Sequence, residues 1–186
     1  VTGPRSDTDG GADSGTGSPL ALDSASQDLL FLRAHTANAF ADGPVSDETV
    51  REIHDLVESV PTASGGQPLR VVLVRSTAAR ERLLRHMSRG NREKTALAPL
   101  VAVLAVERPS AVPDGALQAA YFIIAVRAAG LAAGPMSGFD AEGVGREFFA
   151  DTEHSALMVV NIGWPTPDGH RPRGPRLDFD QVFSTV

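Results

Sequence analysis

Residues 116–131, ALQAAYFIIAVRAAGL, constrain this chain more than any other stretch. At helical spacing the apolar residues fall on nearly every side, interrupted only by Gln118 and Arg127. Such a helix must be covered all round, by a core or by a neighbouring subunit. Three runs supply the partners. RVVLVR (70–75), PLVAVLAVE (99–107) and SALMVVNIGW (155–164) are short, rich in β-branched residues and suited to the middle of a sheet. Further helices are predicted over 26–35, behind a Ser46 cap with Val50, Ile53, Leu56, Val57 and Val60 as the apolar repeat, and after Ser76 through Arg80, Leu83, Leu84 and Met87. Helices covering a sheet of about four or five strands in two or three layers form the natural α+β architecture. After Leu131 the chain reads as a helix C-cap and turn.

Composition narrows the function classes. With 186 residues, 42% of them hydrophobic, one core and one domain are expected over 23–186. Residues 1–22, nearly all Gly, Ser, Thr, Asp and Pro in their first part, bury too little to offset their ordering entropy and are expected to form a disordered tail. A formal charge of −6 argues against nucleic acid as a partner. No apolar run approaches a membrane span. The absence of cysteine removes disulfides and thiolate chemistry and points to the cytoplasm. The five histidines are scattered along the sequence without a ligand motif, so no metal site is expected. GPMSGF lacks the glycine that a nucleophile elbow needs two places before Ser137. EGVGREF ends its glycine pattern at Phe148, and no phosphate loop of the nucleotide-hydrolase kind is present.

What remains is AGLAAGPMSGFD (129–140), half Gly and Ala, with almost no side chain to do chemistry. It stands in order with HTANAF (35–40), PTASGGQPLRVVLVRS (61–76), GNREKTALAP (90–99), NIGW and GPRLDFD (174–180). Together these segments resemble the FMN-dependent nitroreductase family, and within it the malonic semialdehyde reductase (3-hydroxypropanoate dehydrogenase) branch.

The resemblance implies a homodimeric three-layer α/β/α sandwich with a central mixed, mostly antiparallel sheet. It also implies FMN at the subunit interface, with NADPH or NADH as co-substrate and a small-molecule acceptor. A flavin mononucleotide asks for cations at its phosphate, a positive donor at its pyrimidine edge, and backbone N–H groups near N5. By the resemblance, Asn91 and Lys94 face the pyrimidine edge. Pro135, Met136, Ser137 and Gly138 present backbone to the ring, and Pro61, Thr62, Ala63, Ser64 and Gly65 lie beside it. Arg173 and Arg176 hold the phosphate with Thr36, Asn38 and either Arg33 or His35. Lys94 and Ser137 are the best candidates for a catalytic side chain.

Three positions depart from the family pattern. His35 replaces an arginine and carries full charge only below a pKa near 6.5. Gly65 replaces an asparagine. Residues 108–115 replace a longer aromatic-rich insertion that covers the flavin. These departures leave a second expectation open, a protein that binds or sequesters flavin, or acts as a pathway partner, without catalysis.

Overall fold

In a computed structural model, residues 20–186 are described. The expected tail lies largely outside them. At 19.5 kDa the chain forms a four-stranded sheet in the order β1-β2-β4-β3, built from β1 (Leu69–Val74), β2 (Leu100–Val106), β3 (Ala132–Met136) and β4 (Ser155–Gly163). Every pairing in it is antiparallel, with Val72 opposite Val103, Val103 opposite Val159 and Gly134 opposite Asn161.

β2 shows why helices must lie on both faces. All seven of its residues are buried, and alternate side chains point opposite ways. Leu100, Ala102 and Leu104 join one core with Ile53 and Val57 of α2 (Asp47–Glu58) and Ala119, Phe122 and Val126 of α5 (Val112–Ala128). Val101, Val103 and Ala105 join the other. Its helical side is Leu83 of α3 (Thr77–His86), Met87, and Val144 and Phe149 in and after α6 (Ala141–Phe148). A strand buried on both faces needs no polar alternation, and the sequence PLVAVLAVE has none.

The helix starts follow the expected caps. The Ser46 hydroxyl accepts the Thr49 N–H at 3.1 Å, and the Ser76 hydroxyl accepts that of Ala79 at 3.2 Å. The first helix is shorter than the pattern predicts. α1 (Ser24–Gln27) passes into one π-helical turn, Asp28–Leu32, and stops at Arg33. β3 is a correction of another kind, since AAGPM carries no β-branched residue and reads as a turn. It becomes a strand because β4 pairs with it on one side and Ala37 reaches its outer edge, the Ala37 N–H donating to the Ala133 carbonyl at 2.9 Å. Tertiary pairing overrides a weak local preference.

Candidate functional site

Residues 34–38, the start of α4 (Arg89–Leu97) and the C-terminal arm meet at a cleft of about 600 Å3, and among the described residues that line it there is none of the expected Pro135, Met136, Ser137 and Gly138. Its lining includes His35, Thr36, Asn38, Asn91, Lys94, Arg171, Arg173 and Arg176 and, among the described residues, no Asp or Glu. In a chain of net charge −6, a wall of one lysine and three arginines without a described acid is chemically suited to an anion.

Each element has a reason to be there. Residues 36–39 run between the β3 edge and the turn at Gly169, whose carbonyl accepts the Asn38 and Ala39 N–H groups at 2.6 and 3.2 Å. Thr36 and Asn38 are thereby delivered to the cleft. α4 enters from the opposite side. Lys94 is half-buried and donates from Nζ to Asn38 Oδ1 at 3.2 Å. Burial, and then the nearby Arg171, hold its pKa below the usual lysine value, so a bound anion would find a poorly solvated cation. Asn91 Nδ2 donates to the Gly138 carbonyl at 3.0 Å, tying α4 to the segment after β3. At Gly138 an added Cβ would lie 2.7 Å from Asn91 Nδ2 and 2.9 Å from Ser88 Oγ, so glycine is what lets the two segments close.

Beneath this junction Met136 turns its side chain inward. Its sulfur accepts from Thr95 Oγ1 at 3.8 Å and from Asn161 Nδ2 at 3.9 Å. The Asn161 amide oxygen is buried without a partner. Since the Met136 side chain belongs to the core, the backbone beyond it and the exposed Ser137 hydroxyl are what this segment can offer a ligand.

The arm is held by Arg173, whose Nη2 donates to the Leu32 and Ala34 carbonyls at 2.9 and 2.8 Å. These are carbonyls at and just past the end of the first helix, left without helical partners. Arg176 makes only longer contacts, 3.4 and 3.3 Å, to the Gly174 and Pro175 carbonyls of its own arm.

Not every expected residue comes together. Arg33 is exposed, pairs with Asp28 at 2.9 Å and lines an adjoining cleft rather than this one. Of the expected 61–65 loop, Pro61, Thr62, Ala63 and Gly65 are not among the described residues that line the cleft. The loop stands near the start of α5, where the Ala63 N–H donates to Asp114 at 3.2 Å. Gly65 has φ +68°, the left-handed region that glycine and asparagine tolerate best, which gives a backbone reason for either residue there.

Comparison with known proteins settles the relationship. The sequence profile of the Nitroreductase family matches residues 33–118. A protein of Streptomyces griseus named "Putative NADH dehydrogenase/NAD(P)H nitroreductase" is 54% identical over 195 aligned residues, covering 90% of this chain and 99% of that one. The chain belongs to the nitroreductase family. Among solved structures, an enone reductase of gut-bacterial fatty acid saturation shares the fold at TM-score 0.78 and 14% identity, over 88% of this chain and 99% of that one. An FMN-dependent nitroreductase of Clostridium difficile does so at TM-score 0.70 and 15% identity, over 83% and 96%.

In this nitroreductase-family chain, two contributors escaped the sequence reading. Arg171 is the first of three arginines in HRPRGPR and lines the cleft beside the two expected ones. The cation density of that run was the available signal. Arg80 gave none. It lies on α3, outside the cleft, and its Nη1 donates to the carbonyls of Thr95 at 3.1 Å, Ala96 at 3.3 Å and Ala98, gathering the C-terminal end of the helix that carries Asn91 and Lys94. No helix among the described residues is long and apolar enough to cross a membrane.

Proposed function

We propose that the cationic cleft holds FMN and that the chain is an FMN-dependent NAD(P)H oxidoreductase. The single observation that carries this reading is the donor set. Lys94, Arg171, Arg173 and Arg176, with Thr36, Asn38 and Asn91, line a space of about 600 Å3 that, among the described residues, no carboxylate lines. Bound there, FMN would supply reversible hydride exchange between a nicotinamide and an acceptor.

The chain's own groups then divide the work. Arg173, Arg176, Thr36 and the His35 side meet the phosphate. Lys94 and Asn91 meet the pyrimidine edge, where a preorganised positive donor opposes developing negative charge. The backbone of Pro135, Met136, Ser137 and Gly138 lies against the ring. Ser137, exposed at the end of β3, or solvent delivers the proton that the acceptor needs.

A second copy completes the site. α5 leaves Leu117 and Tyr121, one turn apart, exposed on one side of a helix that should be covered all round. The acceptor is a small aldehyde, as the malonic semialdehyde reductase branch implies, or a nitro, quinone or enone compound. The connection 107–111 between β2 and α5 contains only a single 3-10 turn, Pro109–Ala111, and an uncovered pocket of this kind favours broad acceptor use.

The same short connection favours a second reading, a protein that stores flavin without turning it over. One experiment separates the two. Purified protein should be yellow and should bleach when NADPH or NADH is added without oxygen. Yellow protein that does not bleach supports storage, and colourless protein that refuses added FMN refutes both.

A further inference from the structure

We propose that His35 and His170 form a protonation-dependent phosphate clamp, which takes up a proton as the phosphate of FMN enters the cleft and so ties flavin affinity to pH. The proposal rests on the flavin reading above. It adds His170 to the site and gives His35 a definite task.

The two histidines are far apart in sequence, and the backbone brings them together. Ala37 and His170 form an antiparallel bridge, supported by the bonds from Asn38 and Ala39 to the Gly169 carbonyl. Their rings stack with centroids 3.9 Å apart and planes 11° from parallel. His35 lines both the 600 Å3 cleft and the adjoining one of about 500 Å3, while His170 lines the adjoining one and backs His35 through the stack. His170 Nδ1 lies 3.2 Å from the Arg171 carbonyl.

The charges facing this pair are nearly all positive. Arg171, Arg173 and Arg176 come from the arm, Arg127 from the end of α5, Arg33 from the segment of His35 itself, and Lys94 from α4. Asp28 is engaged with Arg33, and among the described residues no acid lines either cleft. Partial desolvation, then His170 and the arginines, hold His35 below the usual histidine pKa. Two stacked imidazolium rings would also repel each other. While no anion is present, these surroundings therefore disfavour the charged form of His35.

A phosphate dianion reverses that balance. It places negative charge beside His35, where desolvation and cations disfavour the charged ring, and so favours protonation there on binding. Protons are taken up, so affinity grows as pH falls between the free and bound pKa values, by at most about tenfold per pH unit for each coupled proton. An arginine at this position, charged at every relevant pH, would give no such slope.

Flavin fluorescence titrations between about pH 6.5 and 8.5 keep FMN's own phosphate, with a second pKa near 6, mostly dianionic. Over that range the wild-type protein should bind FMN about tenfold more tightly at the acid end, and riboflavin, which lacks the phosphate, should show no slope. The double variant His35→Gln, His170→Gln should lose the slope for FMN. His35→Arg should remove it while keeping affinity high at pH 8.5, and it decides the matter if the double variant does not fold. A flat wild-type profile, or equal slopes for FMN and riboflavin, or for wild type and the variants, overturns the clamp and leaves the flavin reading standing. Failure to bind FMN at any pH overturns both.

Discussion

Replacing Arg80 with Met removes a guanidinium while keeping most of the apolar stem, and its cost can be worked from the bonds it makes. Of four acceptors, Ala96 is exposed and water can replace the donor there. Val74, at 3.4 Å, is the longest contact and belongs to a strand residue paired with Val101. Thr95 and Ala98 are buried at 0% and 3% exposure, so their carbonyls depend most on Arg80. Each unsatisfied buried acceptor costs about 1–3 kcal/mol, which for two partly relaxing groups gives about 2–4 kcal/mol. For a chain of this length that corresponds to a melting temperature lower by roughly 4–16 °C. Urea unfolding followed by circular dichroism measures the loss directly. Arg80→Lys should recover part of it, since one ammonium reaches fewer carbonyls than the guanidinium fork. Because the affected end belongs to the helix that carries Asn91 and Lys94, flavin retention should fall alongside stability. An Arg80→Met protein within about 0.5 kcal/mol of wild type, a change typical of an ordinary surface site, would refute the reasoning.

Lys94→Ala should weaken FMN binding by roughly ten- to a hundredfold, the loss of a charge-assisted contact, as read by flavin fluorescence; unchanged affinity and reduction rate would remove its assigned role. Gly138→Ala places a methyl group 2.7 Å from Asn91 Nδ2 and should displace that side chain, lowering stability by about 1–3 kcal/mol and the flavin content of purified protein. The Gly143 N–H, donated to the Asp140 carboxylate at 3.0 Å, is the leading reason that its pKa lies below the usual 3.8. A depressed carboxylate stabilises the fold above pH 3.8 and loses that contribution as pH falls through its lower folded value. Melting curves across that range should therefore converge between wild type and Asp140→Asn as acid is added.

Much of the fold was legible because its signals are local. Ser46 and Ser76 cap helices where a hydroxyl before an amphipathic repeat says they should, and the three β-branched runs are β1, β2 and β4. β3 was not legible, since AAGPM carries no strand preference and pairs only because β4 and Ala37 lie beside it. In the cleft, Lys94, Asn91, Thr36, Asn38, Arg173 and Arg176 meet as the motif order suggests. Arg80 and the stacked histidines carry no pattern at all, because nothing in the sequence says which distant carbonyl or ring a side chain will reach.

The sequence by itself determined that this chain must bury an all-apolar helix against a sheet covered on both faces, since hydrophobic periodicity and capping act between residues a few positions apart. It also determined the family, through motifs whose order survives substitution. Only the tertiary structure decided that four cations share one cleft with no acid among the described residues that line it, and that His35 rests against His170 across 135 positions of chain. Electrostatic character belongs to the neighbourhood of a group, and that neighbourhood is assembled when the strands pair and the C-terminal arm folds back.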